Sequence, residues 1–327
     1  MHSIGDYFRT LFDRFGKGWN RFWFAPRDPL TLGMIRILTA AMAIALYLTY
    51  LPDLTRLFGP DGLLSRDAML DMRDRVPVFS TFDWARSTAA LWIFYWAGAA
   101  ALAAMLVGLF TRVTSVLALV AVLSLIYRGP MLARPVDDIV AMLMFYLCLG
   151  PCGRTLSIDA WIQRMRSTSS GTARSIVPSS AATISTRLIQ VHLSAIYFAM
   201  AFAKLRGTIG TSIWWDGSAV WDLMARPEYP LVNLSGLGFS DPGWYFINIW
   251  TLAILAFEFS FAILIWNRLA RPLLLGISLI MWVGTALLTG MVSFAVIMLV
   301  AGLAFIPPAT LRGWRRSPLE PAVQARD

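Results

Sequence analysis

Long apolar runs recur along this chain, and Thr88–Phe110 is the clearest, with no charged side chain from end to end. A run of that length is what a helix needs to cross a hydrocarbon core of about 30 Å. In lipid every backbone N–H and C=O must be satisfied inside the segment, so such runs restrict the chain to a bundle of membrane helices. The expected spans are Leu30–Leu51, Thr88–Phe110, Val113–Tyr127, Pro135–Gly150, Arg187–Leu205, Trp244–Trp266, Arg271–Leu288 and Met291–Ile306. The predicted fold class is all-α: a polytopic integral membrane helical bundle with about eight transmembrane helices. The third and fourth runs are short, and Thr289-Gly290 is the expected turn between the last two. Composition agrees: 57% of the 327 residues are hydrophobic and 14% charged, against about 45–50% and 25% in ordinary soluble domains.

The segment ahead of the first run has a different pattern. Phe8, Leu11, Phe12, Phe15, Trp19, Phe22 and Trp23 recur at three- and four-residue spacing, with Arg9, Asp13, Arg14, Lys17 and Arg21 between them. That spacing predicts an amphipathic helix lying in the headgroup region, not a signal peptide. The expected organisation is an interfacial helix over 1–27, a transmembrane domain over 28–308 and a cytoplasmic tail over 309–327. A flexible cytoplasmic linker is expected near 163–186, where Ser167-Thr-Ser-Ser-Gly-Thr172 and Pro178-Ser-Ser-Ala181 lie.

The net charge of +9 needs no nucleic-acid partner, because basic residues gather in alternate connections. Arg154, Arg164, Arg166 and Arg174 face Asp159 alone in one of them, whereas the connection after Lys204 holds Asp216, Asp222, Glu228 and Asp241. The positive-inside rule then predicts cytoplasmic N- and C-termini and places Lys204 at the extracytoplasmic end of span five. Two cysteines, Cys148 and Cys152, and two histidines, His2 and His192, offer no disulfide framework and no expected metal site.

Ionisable residues inside spans are the functional candidates. Lys204 closes an apolar helix ahead of a break at Gly207, after which come Trp214-Trp215-Asp216-Gly217 and a short helix ending near Arg226-Pro227. Such a lysine either snorkels to the headgroups or sits dry as a free amine able to take a proton. Met200, Tyr197 and Gln190 share its helical face and suggest that the stripe points inward, while His192 points away. Arg36 and Glu258 lie about 9 and 12 Å into spans one and six, so an Arg36–Glu258 pair is expected, structural or functional. Asp137 and Asp138 open span four, where carboxylates suit a first helical turn; they are also candidates to line a polar pocket with Lys204.

Four stretches carry a family resemblance: Asp28-Pro-Leu-Thr-Leu-Gly-Met-Ile-Arg36, Gly108-Leu-Phe-Thr-Arg112, Leu156-Ser-Ile-Asp159, and Tyr197 through Lys204-Leu205 to Trp214/Trp215-x-Gly217. Glu258 and the Ile306-Pro-Pro308 ending fit as well. In these the chain resembles the HTTM family, the membrane domain shared with vitamin K-dependent γ-carboxylases; the Gly-Leu-Phe-Thr-Arg stretch also occurs in DoxX-like quinone-associated proteins. The resemblance implies that Lys204 is the base acting on reduced vitamin K or menaquinol, with Tyr197, Trp214, Trp215 and Gln190 as cofactor-binding candidates. In that chemistry oxygen converts the quinol to an epoxide, and the strong base so formed permits carboxylation of a glutamate side chain. An extracytoplasmic peptide or protein would be the partner, and a bacterial-type inner membrane the location.

The sequence also departs from the family pattern. Pro151-Cys-Gly-Arg-Thr155 stands where carboxylases carry a histidine, Trp282-Val-Gly-Thr285 stands roughly where a membrane histidine is expected, and the large extramembrane recognition domain has no counterpart in this sequence. Quinol chemistry survives those losses better than peptide carboxylation does. Two non-equivalent alternatives stay open: a non-enzymatic membrane scaffold or peptide-maturation factor, and a DoxX-like subunit of a quinone-linked redox complex. Both tolerate Lys204→Arg.

Overall fold

The computed structural model describes residues 4–64, 69, 79–169, 177–206, 214–225, 236 and 241–315, and every regular element among them is helical. The chain divides into two compact units, Met1–Leu188 with Ile306–Asp327, and Ile189–Phe305.

The first unit opens with α1 (Ile4–Phe24), followed by α2 (Leu30–Leu48) and the short α3 (Leu54–Phe58). After a 3-10 turn at Thr81–Trp84 come α4 (Thr88–Val107), α5 (Thr111–Arg128), α6 (Pro135–Leu149) and α7 (Ile158–Ser169). Helix α4 packs on α5 and α2, and α6 packs on both α2 and α5. Ser87 starts α4 by accepting from the Ala90 N–H at 3.2 Å, and Gly108 ends it in the left-handed region at φ +73°. Tyr47 and Tyr95 fasten α2 to α4: their rings stack at 4.7 Å, and each hydroxyl donates to the other's backbone carbonyl, at 3.3 and 3.0 Å.

Helix α8 (Ser180–Leu205) contains the boundary between the units. The second unit continues with α9 (Ala219–Met224), α10 (Pro242–Leu264), α11 (Ala270–Thr289), and α12 (Val292–Gly302), which runs into a 3-10 turn at Leu303–Phe305. Helices α9 and α10 pack together, as do α10 with α11 and α11 with α12. The last helix, α13 (Pro308–Arg315), belongs to the first unit and packs on α2, where Arg312 pairs with Asp28.

All eight expected runs are helical, but six of the described helices are long and apolar enough to cross a membrane: α2, α4, α5, α8, α10 and α11. Helix α6 has 15 residues, which reach about 22 Å at 1.5 Å each, short of a 30 Å core. Helix α12 has 11. Pro135 and the extended Gly150 set the limits of α6, and the left-handed Gly290 and Pro307-Pro308 bracket α12. The six apolar helices mark a membrane protein that contacts lipid, and they expose large side chains such as Ile93, Phe246 and Leu279 outward.

The region expected to be a linker is helical at both ends. Helix α8 begins at Ser180, seven residues ahead of the expected Arg187, because its hydroxyls find acceptors: Ser180 donates to the Phe24 carbonyl at 2.8 Å, Thr183 to that of Ala25 and Ser185 to that of Tyr146. Arg27 and Ser179 form an isolated antiparallel bridge beside them. The Ser/Thr-rich centre at 170–176 lies outside the described residues, as do the Gly207 break, Arg226-Pro227, His2 and residues 316–327 of the tail.

Candidate functional site

The inward stripe of α8 is present: Ile189, Gln190, Leu193, Tyr197 and Ala201 are buried, and His192 is exposed on the other side. Lys204 follows one turn later. The Cα–Cβ bonds of a helix tilt toward its N-terminus, so a lysine near a C-terminal end leads back into the bundle. Opposite it, α10 presents Thr251, Leu255, Glu258 and Phe261 on its own buried stripe. Lys204 Nζ donates to Glu258 Oε1 in an ion pair whose side chains are 18% and 3% exposed. The ammonium also lies 4.5 Å from the centre of the Trp214 ring, a cation–π contact. The second carboxylate oxygen, Glu258 Oε2, is buried and has no hydrogen-bond partner among the described residues.

Counted along α10, Glu258 lies about 24 Å from Pro242 and about 9 Å from Leu264. The ammonium therefore lies alongside the interior of α10 and not beyond its end. Lys204 is not an isolated amine; it is paired. In place of the Arg36–Glu258 pair expected from depth, the described residues give each charge partners within its own unit: Lys204 for Glu258, and the carbonyls of Cys152 and Leu156 for Arg36. Counting depth from one membrane face left out the lysine, whose side chain reaches down from the helix end.

Other candidates have packing partners. Tyr197 is buried against Phe261 at 4.1 Å and Phe257 at 5.7 Å between ring centres, and its hydroxyl accepts from Trp282 Nε1 at 2.6 Å. Trp282 was legible only as the residue near a missing histidine; its indole N–H needs an acceptor when buried, and Tyr197 supplies it. Gln190 donates to the Ala304 carbonyl at 2.6 Å and ties α8 to the end of α12. Trp215 is exposed, with its indole N–H donating to the Leu205 carbonyl at 3.1 Å beyond the end of α8.

The remaining candidates lie in the first unit. Asp137 accepts from the Arg134 backbone at 2.8 Å and pairs with its side chain, while Asp138 is exposed, an arrangement that fits a first-turn role at α6. Arg36 is fully buried and donates to the carbonyls of Cys152 at 3.0 Å and Leu156 at 2.6 Å. Gly108 presses on this guanidinium: a Cβ there would come 2.7 Å from one of its nitrogens. The Gly108 carbonyl accepts from the Asp159 N–H at 3.1 Å. Asp159 in turn accepts from Phe110 N and from both N and Oγ1 of Thr111, at 2.9, 2.7 and 2.7 Å. Burial works against its ionisation, but these hydrogen bonds, with Arg36 nearby, hold the carboxyl below its usual range. Thr155 donates to the Pro29 carbonyl at 3.2 Å.

Three of the four family-like stretches thus meet at Arg36, and the fourth surrounds the Lys204–Glu258 pair in the other unit. The chain matches no family model, no curated protein and no solved structure.

Proposed function

We propose that this is a γ-carboxylase-like integral membrane protein of the HTTM type, in which the Lys204–Glu258 pair acts on a membrane quinol. The observation that supports this reading most is an acid–base pair between two apolar helices, whose second carboxylate oxygen is buried without a hydrogen-bond partner among the described residues. Intramembrane ionisable pairs are costly to maintain and mark relay or substrate sites by default. Reduced vitamin K or menaquinol brings hydroxyl donors and an aromatic ring, which suit Glu258 Oε2 and the Trp214 face respectively. When bound it would supply the electrons consumed with oxygen in epoxide formation. Lys204 and Glu258 would orient a hydroxyl and hold its proton, and the apolar packing around Tyr197 would exclude water. In this reading α1 lies at the membrane interface, both termini are cytoplasmic in a bacterial-type inner membrane, and an extracytoplasmic peptide or protein is the acceptor.

The test is conversion of reduced menaquinone or vitamin K to its epoxide by purified protein in lipid under oxygen. Wild type is expected to make epoxide and Lys204→Ala to make none. No product from folded wild type, with or without candidate peptides, favours a non-enzymatic scaffold or maturation factor. One observation already favours that second reading: Tyr197 is closed in by Phe257, Phe261 and Trp282 and lends no open wall to a ligand.

A further inference from the structure

We infer that Glu258, and not Lys204, receives the proton of a hydroxyl ligand, while Lys204 serves as the fixed cation beside the oxygen that gives it up. The inference rests on the quinol reading above and reassigns the roles within it. Lys204 is in an ion pair with Glu258 Oε1 and lies over Trp214. An ammonium has three N–H donors and no lone pair, so in this arrangement it has nothing with which to accept a proton. The carboxylate has four acceptor positions on two oxygens, and Oε2 is buried and without a hydrogen-bond partner among the described residues. A buried carboxylate oxygen without a donor is costly, and a hydroxyl donor would relieve that cost.

The charges balance through the transfer. Before it, the site holds one carboxylate and one ammonium. Afterwards Glu258 is a neutral acid, the ligand oxygen carries the negative charge, and Lys204 remains positive. The O–H bond of the ligand breaks, an O–H bond to Glu258 Oε2 forms, and no oxidant is needed. The site is neutral at both ends of the step, so no net charge is created in a low-dielectric surrounding, where charge separation is expensive. Were Lys204 to take the proton instead, it would first have to surrender its own to Glu258 and break the pair.

The probe is menadiol under argon, bound to protein in lipid nanodiscs, with no turnover. Two readouts are followed: the ultraviolet spectrum of ionised menadiol, and the infrared carbonyl band of a protonated carboxyl. Wild type is expected to show both. Lys204→Arg keeps the cation and should keep both signals, with affinity lower by about tenfold. Glu258→Gln should bind menadiol without either signal. Should that variant misfold, Glu258→Asp keeps a carboxyl and should shift the infrared band; a band unmoved by Glu258→Asp overturns the assignment. Ionised menadiol in Glu258→Gln with none in Lys204→Arg makes Lys204 the base, which overturns the assignment and leaves the quinol reading standing. Folded wild type that binds no menadiol removes the quinol reading, and the assignment goes with it.

Discussion

Asp159 caps a helix to which it does not belong: its Oδ2 accepts from both the backbone N and the Oγ1 of Thr111, each at 2.7 Å. Phe110, the residue preceding α5, is in the left-handed region at φ 46° and offers no side-chain cap of its own. The donors at the start of α5 therefore depend on a carboxylate that follows them by 48 residues. Losing such a cap costs about 1–2 kcal/mol. Asp159→Ala is expected to lower the unfolding temperature in detergent at pH 7, with α5 opening first in hydrogen exchange. The carboxyl is held below its usual range in the fold, so its stabilisation is complete above the unfolded value of about 3.9. It is lost as pH falls through the folded value. The difference between wild type and Asp159→Ala should close once the pH drops below that range; a difference undiminished there would show that the charge plays no part.

Gly108 makes a sharper case, because two constraints coincide. Its φ is +73°, and a Cβ would sit 2.4 Å from Ser157 Cβ and 2.7 Å from an Arg36 nitrogen. The backbone alone costs an L-residue about 1–2 kcal/mol in this region. Gly108→Ala should exceed that, since Arg36 is held by two carbonyls and is not free to retreat. Gly276 is the control: it lies within α11 with nothing within 4 Å of an added Cβ. Gly276→Ala should be neutral or stabilising by up to about 1 kcal/mol. Equal thermal shifts for the two variants would show that the packing at Arg36 does not limit stability.

Local features were legible in the sequence, and pairings across the chain were not. Helix limits at Pro135 and Gly290 follow from residues that act on their own backbone, whereas α4 ends at Gly108, ahead of the expected Phe110. The early start of α8 was hidden because Ser180, Thr183 and Ser185 read as linker residues until Phe24, Ala25 and Tyr146 supply acceptors. The stripe of Gln190, Tyr197 and Lys204 was readable from 100° periodicity, but its chemistry was not. Periodicity names a face, and only packing decides whether Tyr197 meets a ligand or Trp282. Likewise, the meeting of Arg36, Gly108 and Asp159 spans more than a hundred residues of chain, and no spacing rule links them. The Lys204–Glu258 pair could have been suspected from the backward tilt of side chains at a helix end.

The basic and apolar faces of α1 lead to a prediction about its surroundings. Phe12 and Phe15 are exposed, and the helix is held at its far end, where Arg187 donates to the Phe22 carbonyl at 3.2 Å and lies over its ring. Spin labels at Phe12→Cys and Arg14→Cys, in a Cys148→Ser background, distinguish lipid from water. The label at 12 should be relaxed by oxygen and the label at 14 by a water-soluble nickel chelate. Strong relaxation by the chelate at both positions would place α1 in water and end its interfacial assignment.

A double-mutant cycle separates the structural worth of the Lys204–Glu258 pair from any chemistry. Removing one partner leaves the other charge buried and uncompensated, which costs on the order of 3–5 kcal/mol for a fully buried pair. Lys204 is 18% exposed, so a glutamate variant that strands the ammonium should cost less than a lysine variant that strands Glu258, the less exposed of the two. Lys204→Met should therefore be more destabilising than Glu258→Met, and the double variant should recover most of the loss, because two apolar side chains fit this environment. Thermal unfolding of the four proteins in the same lipid gives the coupling directly. Additive losses would mean that the two side chains do not interact, and would remove the basis for every role given to the pair. A stable double variant that makes no epoxide would instead show that the fold can dispense with these charges and that they are kept for function.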